Sequence, residues 1–344
     1  MLNPKDWIPA APPDGTPPLL VVVVDTEEDF DWDLPHDRAS VSVDSIRHQT
    51  RAHRIFERYG VRPTYMIDYA VAAQDAGIDP LRELADSGAC EIGAHLHPWV
   101  NPPHSETVTA RNSFPGNLPA DLERDKLARL TETIAENFGR RPTAYKAGRY
   151  GVGPATTETL AALGYEIDAS VVPRTDLSDI HGPDFRACGA DPYWFGPEGR
   201  LLEVPLSVGF AGLVAGAGPG LYGRLTRGPA RRLRLAGIAA RLRLIERITL
   251  TPEGVDHVEH RRLTRAMLAR GQRVFSFTYH SPSLEPGNTP YVRDAAELGV
   301  FLDRFDRYFD YFLGEVGGRV ATLRELRDLL AAGRPAGDPG TANS

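Results

Sequence analysis

Leu19-Leu20-Val21-Val22-Val23-Val24 runs six apolar residues without a polar break and then stops in Asp25-Thr26-Glu27. A strand with one wet face alternates polar and apolar side chains. An unbroken β-branched run instead reads as a strand buried on both faces, the habit of parallel sheets covered by helices. The run is far shorter than the roughly 20 apolar residues that a membrane crossing takes. The stretch therefore predicts a central parallel strand that delivers carboxylates at its C-terminal end.

Working outward from this strand, turn and helix signals alternate. A helix is expected over 44–59, with Asp44 as N-cap and Gly60 as stop, then a strand over 62–67. Residues 79–87 read as helix up to Gly88, 89–94 as strand, 121–138 as helix, 142–146 as strand and 154–163 as helix closed by Gly164. Strand-like runs recur at 165–168, 201–206 and 274–280, and helices at 255–270, 292–313 and 323–331. Strand and helix in alternation imply a parallel sheet with helices outside it. Asp25, His95, Lys146, Asp168 and His280 all follow strands, and in barrels that end of the sheet carries the chemistry. The domain plan is an N-terminal extension over 1–18, one α/β barrel over 19–332 and a disordered Gly/Pro-rich tail over 333–344.

Composition narrows the function. The chain has 344 residues, 42% hydrophobic and 25% charged, with a net charge of -7, which argues against a general nucleic-acid binder. Cys90 and Cys188 are too few for a disulfide framework and lie outside any CxxC pair. No signal-peptide-like or transmembrane stretch is legible, so a cytoplasmic location is the expectation.

Four motifs carry candidate chemistry. In Asp25-Thr26-Glu27-Glu28-Asp29-Phe30-Asp31-Trp32-Asp33, Asp25 and Glu27 lie two apart, so an extended backbone points both to one side. In Glu91-Ile92-Gly93-Ala94-His95-Leu96-His97-Pro98-Trp99, two imidazoles at the same spacing suit a single metal. Tyr145-Lys146-Ala147-Gly148-Arg149-Tyr150 sets a cation past a strand end, where it holds a carboxylate ionised. Ser276-Phe277-Thr278-Tyr279-His280-Ser281-Pro282 closes a late strand in a histidine suited to general acid work. Bland readings compete throughout: a solvated acidic loop, structural histidines, and aromatics packed under loops.

Taken in order, these motifs resemble those of the polysaccharide deacetylases, the NodB-homology carbohydrate esterases, over residues 19–330. Asp25-Thr26-Glu27 with His95-Leu96-His97-Pro98-Trp99 and His280-Ser281-Pro282-Ser283-Leu284 is most similar to the WalW-type subgroup. The resemblance implies an irregular (β/α) barrel of about seven strands. It also implies a metal-dependent enzyme that removes N-acetyl groups from a carbohydrate or glycan precursor. One divalent transition metal, Zn²⁺ by its ligand type, is expected on Glu27, His95 and His97, with His104 in reserve for the second imidazole. Asp25 takes the part of general base, supported by Lys146 or Arg149. His280 is the general acid, with Asp168 orienting it or shaping the pocket, and the Tyr150 backbone N–H helps hold an oxyanion. Trp32, Trp99, Tyr150, Tyr279 and Tyr291 are candidate sugar-stacking aromatics. Two other readings stand beside this one: hydrolysis of another C–N bond, as in relatives acting on cyclic amides, and a degenerate protein that only binds glycan.

One segment is not absorbed by the resemblance. Arg224, Arg227, Arg231, Arg232, Arg234, Arg241, Arg243 and Arg247 face a single acid, Glu246, within 224–247. A basic helical insertion over 224–250 is expected, either solvated or resting on an anionic membrane surface or an anionic glycan.

Overall fold

The computed structural model describes Lys5 and residues 7–334. Residues 335–344, most of the expected disordered tail, lie outside the described residues. The strands are β1 (Ile8–Pro9), β2 (Leu19–Thr26), β3 (Thr64–Ile67), β4 (Glu91–Leu96), β5 (Ala144–Ala147), β6 (Ile167–Asp168), β7 (Tyr193–Phe195), β8 (Leu201–Glu203), β9 (Val208–Ala211), β10 (Glu246–Thr249), β11 (Val274–His280) and β12 (Arg319–Val320). Between them lie α1 (Gln49–Tyr59), α2 (Tyr69–Ala72), α3 (Asp75–Asp86), α4 (Ala120–Phe138), α5 (Thr156–Leu163), α6 (Gly218–Leu225), α7 (Gly228–Arg232), α8 (Leu235–Arg241), α9 (His257–Leu268), α10 (Ala295–Asp310) and α11 (Leu323–Ala332).

Parallel pairing runs β11-β2-β3-β4-β5-β6-β8, so seven parallel strands form the curled sheet of a (β/α) barrel, as expected. β12 adds to β2 in parallel, while β7 and β1 extend the β8 edge in antiparallel fashion. The barrel is irregular between β8 and β11. There the backbone N–H of Ser276 donates to Ser207 Oγ and that of Thr278 to Leu250 O, in place of a strand pair. β9 and β10 form a separate antiparallel ribbon beside this gap. β10 occupies the end of the stretch expected to be helical, because its register with β9 sets Ile248 and Leu250 into the core.

Strand parity places the site. β2 is buried along its whole length. Its odd positions Leu19, Val21 and Val23 pack with Met66, Ala144, Ile167, Leu202 and Val274 above the α11 leucines. Its even positions Leu20, Val22 and Val24 pack outward with the helices. Side chains two apart share a face, so Asp25, Lys146 and His280 continue the inner layer of Val23, Ala144 and Val274. Register does the rest: Asp25 lies beside His280 across β2–β11, and His95 beside Lys146 across β4–β5.

Candidate metal and catalytic centre

Glu27, His95 and His97 offer donor atoms that all lie within 4.8 Å of one another. Glu27 Oε2 is 3.5 Å from His95 Nε2 and 3.4 Å from His97 Nε2. Each imidazole is fixed through its other nitrogen. His95 Nδ1–H donates to the Lys146 carbonyl at 3.0 Å, and His97 Nδ1–H donates to Glu28 Oε2 at 2.7 Å. Both Nε2 lone pairs therefore face Glu27, the arrangement by which outer partners orient metal-binding histidines. Glu27 Oε1 is buried without a hydrogen-bond partner among the described residues, and such an orphan acceptor is costly unless a cation meets it. Burial pushes the Glu27 carboxyl up to about 7 and the His97 imidazole down to about 4. A buried neutral imidazole keeps its ligand lone pair. This donor set fits a divalent transition metal.

A second group, Glu28, Asp68 and His97, also has close donor atoms. Its carboxylates are already committed: Trp99 Nε1–H donates to Glu28 Oε1 at 2.6 Å, and the Glu28 backbone N–H donates to Asp68 Oδ2 at 3.2 Å. Glu27, His95 and His97 line one cleft, whereas Glu28 and Asp68 do not. They lie behind it as supports of His97. His104 is exposed and belongs to neither group.

Asp25 lies on the other side of the cleft floor. Lys146 Nζ donates to its Oδ1 at 2.5 Å and to Thr278 Oγ1 at 3.2 Å. Burial pushes the Asp25 carboxyl up, but the charges of Lys146, His95 and His280 outweigh it and hold the group below its ordinary range. His280 Nε2 is 3.5 Å from Asp25 Oδ2. On its far side Glu253 accepts twice, from the His280 backbone N–H at 3.0 Å and from Nδ1–H at 2.8 Å. Burial would lower the His280 pKa, but Glu253, Glu27 and Asp25 together raise it to about 10.

Several expected residues sit elsewhere. Asp168 follows the outward parity of β6 and faces Glu203 and Ser170, away from His280; Glu253 holds the place foreseen for it. Tyr279 is likewise outward, buried beneath Phe301 and Phe305 with its hydroxyl donating to Gln49. Trp99 lines the cleft beside the metal group, but it is buried and stacked on His97 at 4.2 Å. Trp32 meets His280 edge-on at 5.0 Å and Tyr291 at 5.7 Å, and these rings line the cleft. Of the two candidate cations, Lys146 contacts Asp25, whereas the Arg149 guanidinium lies 4.2 Å over the Phe114 ring and donates to Ser113. Arg149 and Tyr150 both take left-handed backbone, φ 54 and 60, unusual for bulky residues and typical of functional turns. The cleft measures about 650 Å³ and is also lined by Phe30, His36 and Ile180.

Glu253 and Asp68 carried no readable signal. Glu253 lies in the loop Thr251-Pro252-Glu253-Gly254, joined to His280 only by the fold. Glu28 was visible as one acid among six, with nothing local to single it out.

No family model matches the chain, and no curated protein matches its sequence. Solved structures do match in fold. A protein from Mycobacterium smegmatis described as a polysaccharide deacetylase superposes with TM-score 0.53 at 17% identity, covering 95% of each chain. One from Pseudomonas aeruginosa PAO1, described in the same terms, gives 0.52 at 14% identity and 92% of each chain. The Puue allantoinase gives 0.55 at 15% identity, covering 94% of this chain and 95% of its own. At such identities the likeness establishes the shared fold, a (β/α) barrel of the polysaccharide deacetylase type.

Proposed function

We propose that this chain is a metal-dependent hydrolase that removes N-acetyl groups from a carbohydrate or glycan precursor. The observation that carries this reading is one cleft in which a three-ligand group, Glu27, His95 and His97, is flanked by an ionised Asp25 and a protonated His280. When bound, a divalent ion, Zn²⁺ by ligand type, would acidify water and polarise the acyl oxygen. Asp25 accepts the proton of the attacking water, and Lys146 keeps it charged and fixed in position. His280, oriented by Glu253, donates a proton to the leaving amine. The Tyr150 backbone N–H is a donor for the developing oxyanion. Trp32 and Tyr291 offer ring faces to a sugar. Asp168, turned toward Glu203 and Ser170, takes no orienting part in this reading.

The deciding experiment measures acetate release by the purified, Zn²⁺-loaded chain from N-acetylated oligosaccharides and from nucleotide- and lipid-linked N-acetyl sugars. Release that disappears in His95→Ala together with bound metal supports the reading. Full metal occupancy with no release from any substrate would leave a glycan-binding protein in its place.

A further inference from the structure

Residues 204–245 contain seven arginines and no aspartate or glutamate, in a chain whose net charge is -7. This acid-free stretch is the excursion that leaves β9, forms α6, α7 and α8, and returns as β10. It has a small core of its own: Phe210, Ala215, Ala239 and Ile245 are buried, with Tyr222 and Leu225 packed against them. Its remaining aliphatic side chains point out. Leu213 is 83% exposed, Leu233 65% and Leu242 62%, with Ile238 and Val214 also exposed. Among the described residues, five of the eleven exposed large hydrophobic side chains thus fall within one acid-free segment of thirty residues, 213–242.

Leu213, Val214, Ile238 and Leu242 lie together. Ile238 and Leu242 are four apart, on one face at the end of α8. The backbone N–H groups of Leu213 and Val214 donate to Arg243 O and Leu244 O, bringing that loop beside the same helix end. Around them Arg224, Arg232, Arg234, Arg241 and Arg243 are exposed and make no ion pair among the described residues. The one acid within 224–247, Glu246, is taken by Arg262 at 2.7 Å, and Asp184, which feels the charge of Arg227, is taken by Arg186.

We infer that this excursion is a docking surface for an anionic lipid bilayer. Cations around protruding aliphatic tips match headgroup phosphates above acyl chains, and each arginine near such a surface contributes roughly a fivefold gain in binding. A second copy of the chain does not suit the face, since a two-fold contact would set arginine against arginine with no acid to receive it. Phosphate alone, as in a nucleic acid, would leave the leucines exposed. Among the described residues no helix is long and apolar enough to cross a membrane. Docking here brings the bilayer near the catalytic cleft, because Arg247 and Thr249 of the returning strand line a groove together with Tyr150, Glu253 and His280. The inference stands on surface chemistry and is independent of the reaction assigned to the cleft.

Co-sedimentation of the full chain with vesicles tests it. Phosphatidylglycerol–phosphatidylcholine vesicles should bind the protein, pure phosphatidylcholine at least about tenfold less, and added salt should release it. Arg232→Gln/Arg241→Gln should weaken binding roughly tenfold or more, and Leu213→Ser/Leu242→Ser should weaken it while leaving the charge intact. All four positions are exposed, so circular dichroism and the unfolding midpoint should stay at wild-type values. Equal binding to both vesicle types, no binding to either, or unchanged binding by both variants overturns the inference. So does retention of the wild type by duplex DNA but not by vesicles.

Discussion

The two residues proposed to divide the proton work are set by their neighbours. Asp25 is ionised because Lys146 lies 2.5 Å away, and His280 is protonated because Glu253 backs it at 2.8 Å. Asp25→Asn preserves shape and removes the proton acceptor. The chemical step should fall by about 10²–10⁴-fold while metal content stays at the wild-type level. Loss of metal from Asp25→Asn, with retention in Glu27→Gln, would exchange the roles of the two carboxylates. Glu253→Gln tests the other half. It removes one of the charges that hold His280 at about 10, so the imidazolium deprotonates at lower pH. The alkaline limb of the rate profile, where the acid form disappears, should move toward neutrality. An unmoved limb in an active variant would show that His280 is not the group titrating there. Glu28→Gln acts on the metal side. Gln loses the charge and keeps one acceptor oxygen for two donors, His97 Nδ1–H and Trp99 Nε1–H, so metal binding should weaken by about 10–100-fold in a zinc titration, and an unchanged titration would remove Glu28 from its supporting part.

At the scale of elements, the centre depends on how closely the ends of β4 and β5 approach. Gly148 opens the turn after β5, and a Cβ there would come within 2.4 Å of Leu96 O and 2.5 Å of the His97 ring. Gly148→Ala must push the turn from β4 and shift His97. We expect a stability cost of about 1–3 kcal/mol and weaker metal binding, read by denaturant unfolding and metal titration. Wild-type values in both would mean that the turn accommodates a methyl group freely. The strands that carry the centre were legible because burial on both faces writes an unbroken apolar run, and because period-two spacing sets Asp25 with Glu27 and His95 with His97. The same period separates Asp168 and Tyr279 from the site: each follows its strand on the outward parity, and adjacency to a motif says nothing about which face a side chain takes. Glu253 was illegible for a different reason. It reaches His280 from a loop 27 residues upstream, at the break in the barrel between β8 and β11, and no local pattern encodes a contact across that gap. β9 and β10 have only four residues each, and the arginines between them masked the return strand.

At the scale of the whole molecule, the outward parity of Asp168 creates a stability feature. Asp168 and Glu203 are adjacent in register on β6 and β8 and fully buried on the outer face of the sheet. Ser170 Oγ–H donates to Asp168 Oδ1, and the Val171 backbone N–H to Glu203 Oε1. The two remaining carboxyl oxygens have no hydrogen-bond partner among the described residues, and one proton shared by the pair is the expected state. Burial pushes both groups up, and for Glu203 the charge of Asp168 adds to it. In the unfolded chain both ionise near their ordinary values of about 4. Over the range in between, the folded chain holds a proton that the unfolded chain has lost. The contribution of the pair is therefore complete at low pH and declines as pH rises, by up to about 1.4 kcal/mol per pH unit. Glu203→Gln supplies an N–H donor to Asp168 at nearly the same shape and needs no shared proton. Its stability should decline less between about pH 5 and pH 8 than that of the wild type, so that in urea unfolding the variant gains on the wild type as pH rises. Two curves that stay parallel across that interval would mean that the pair is not sharing a proton in the folded protein.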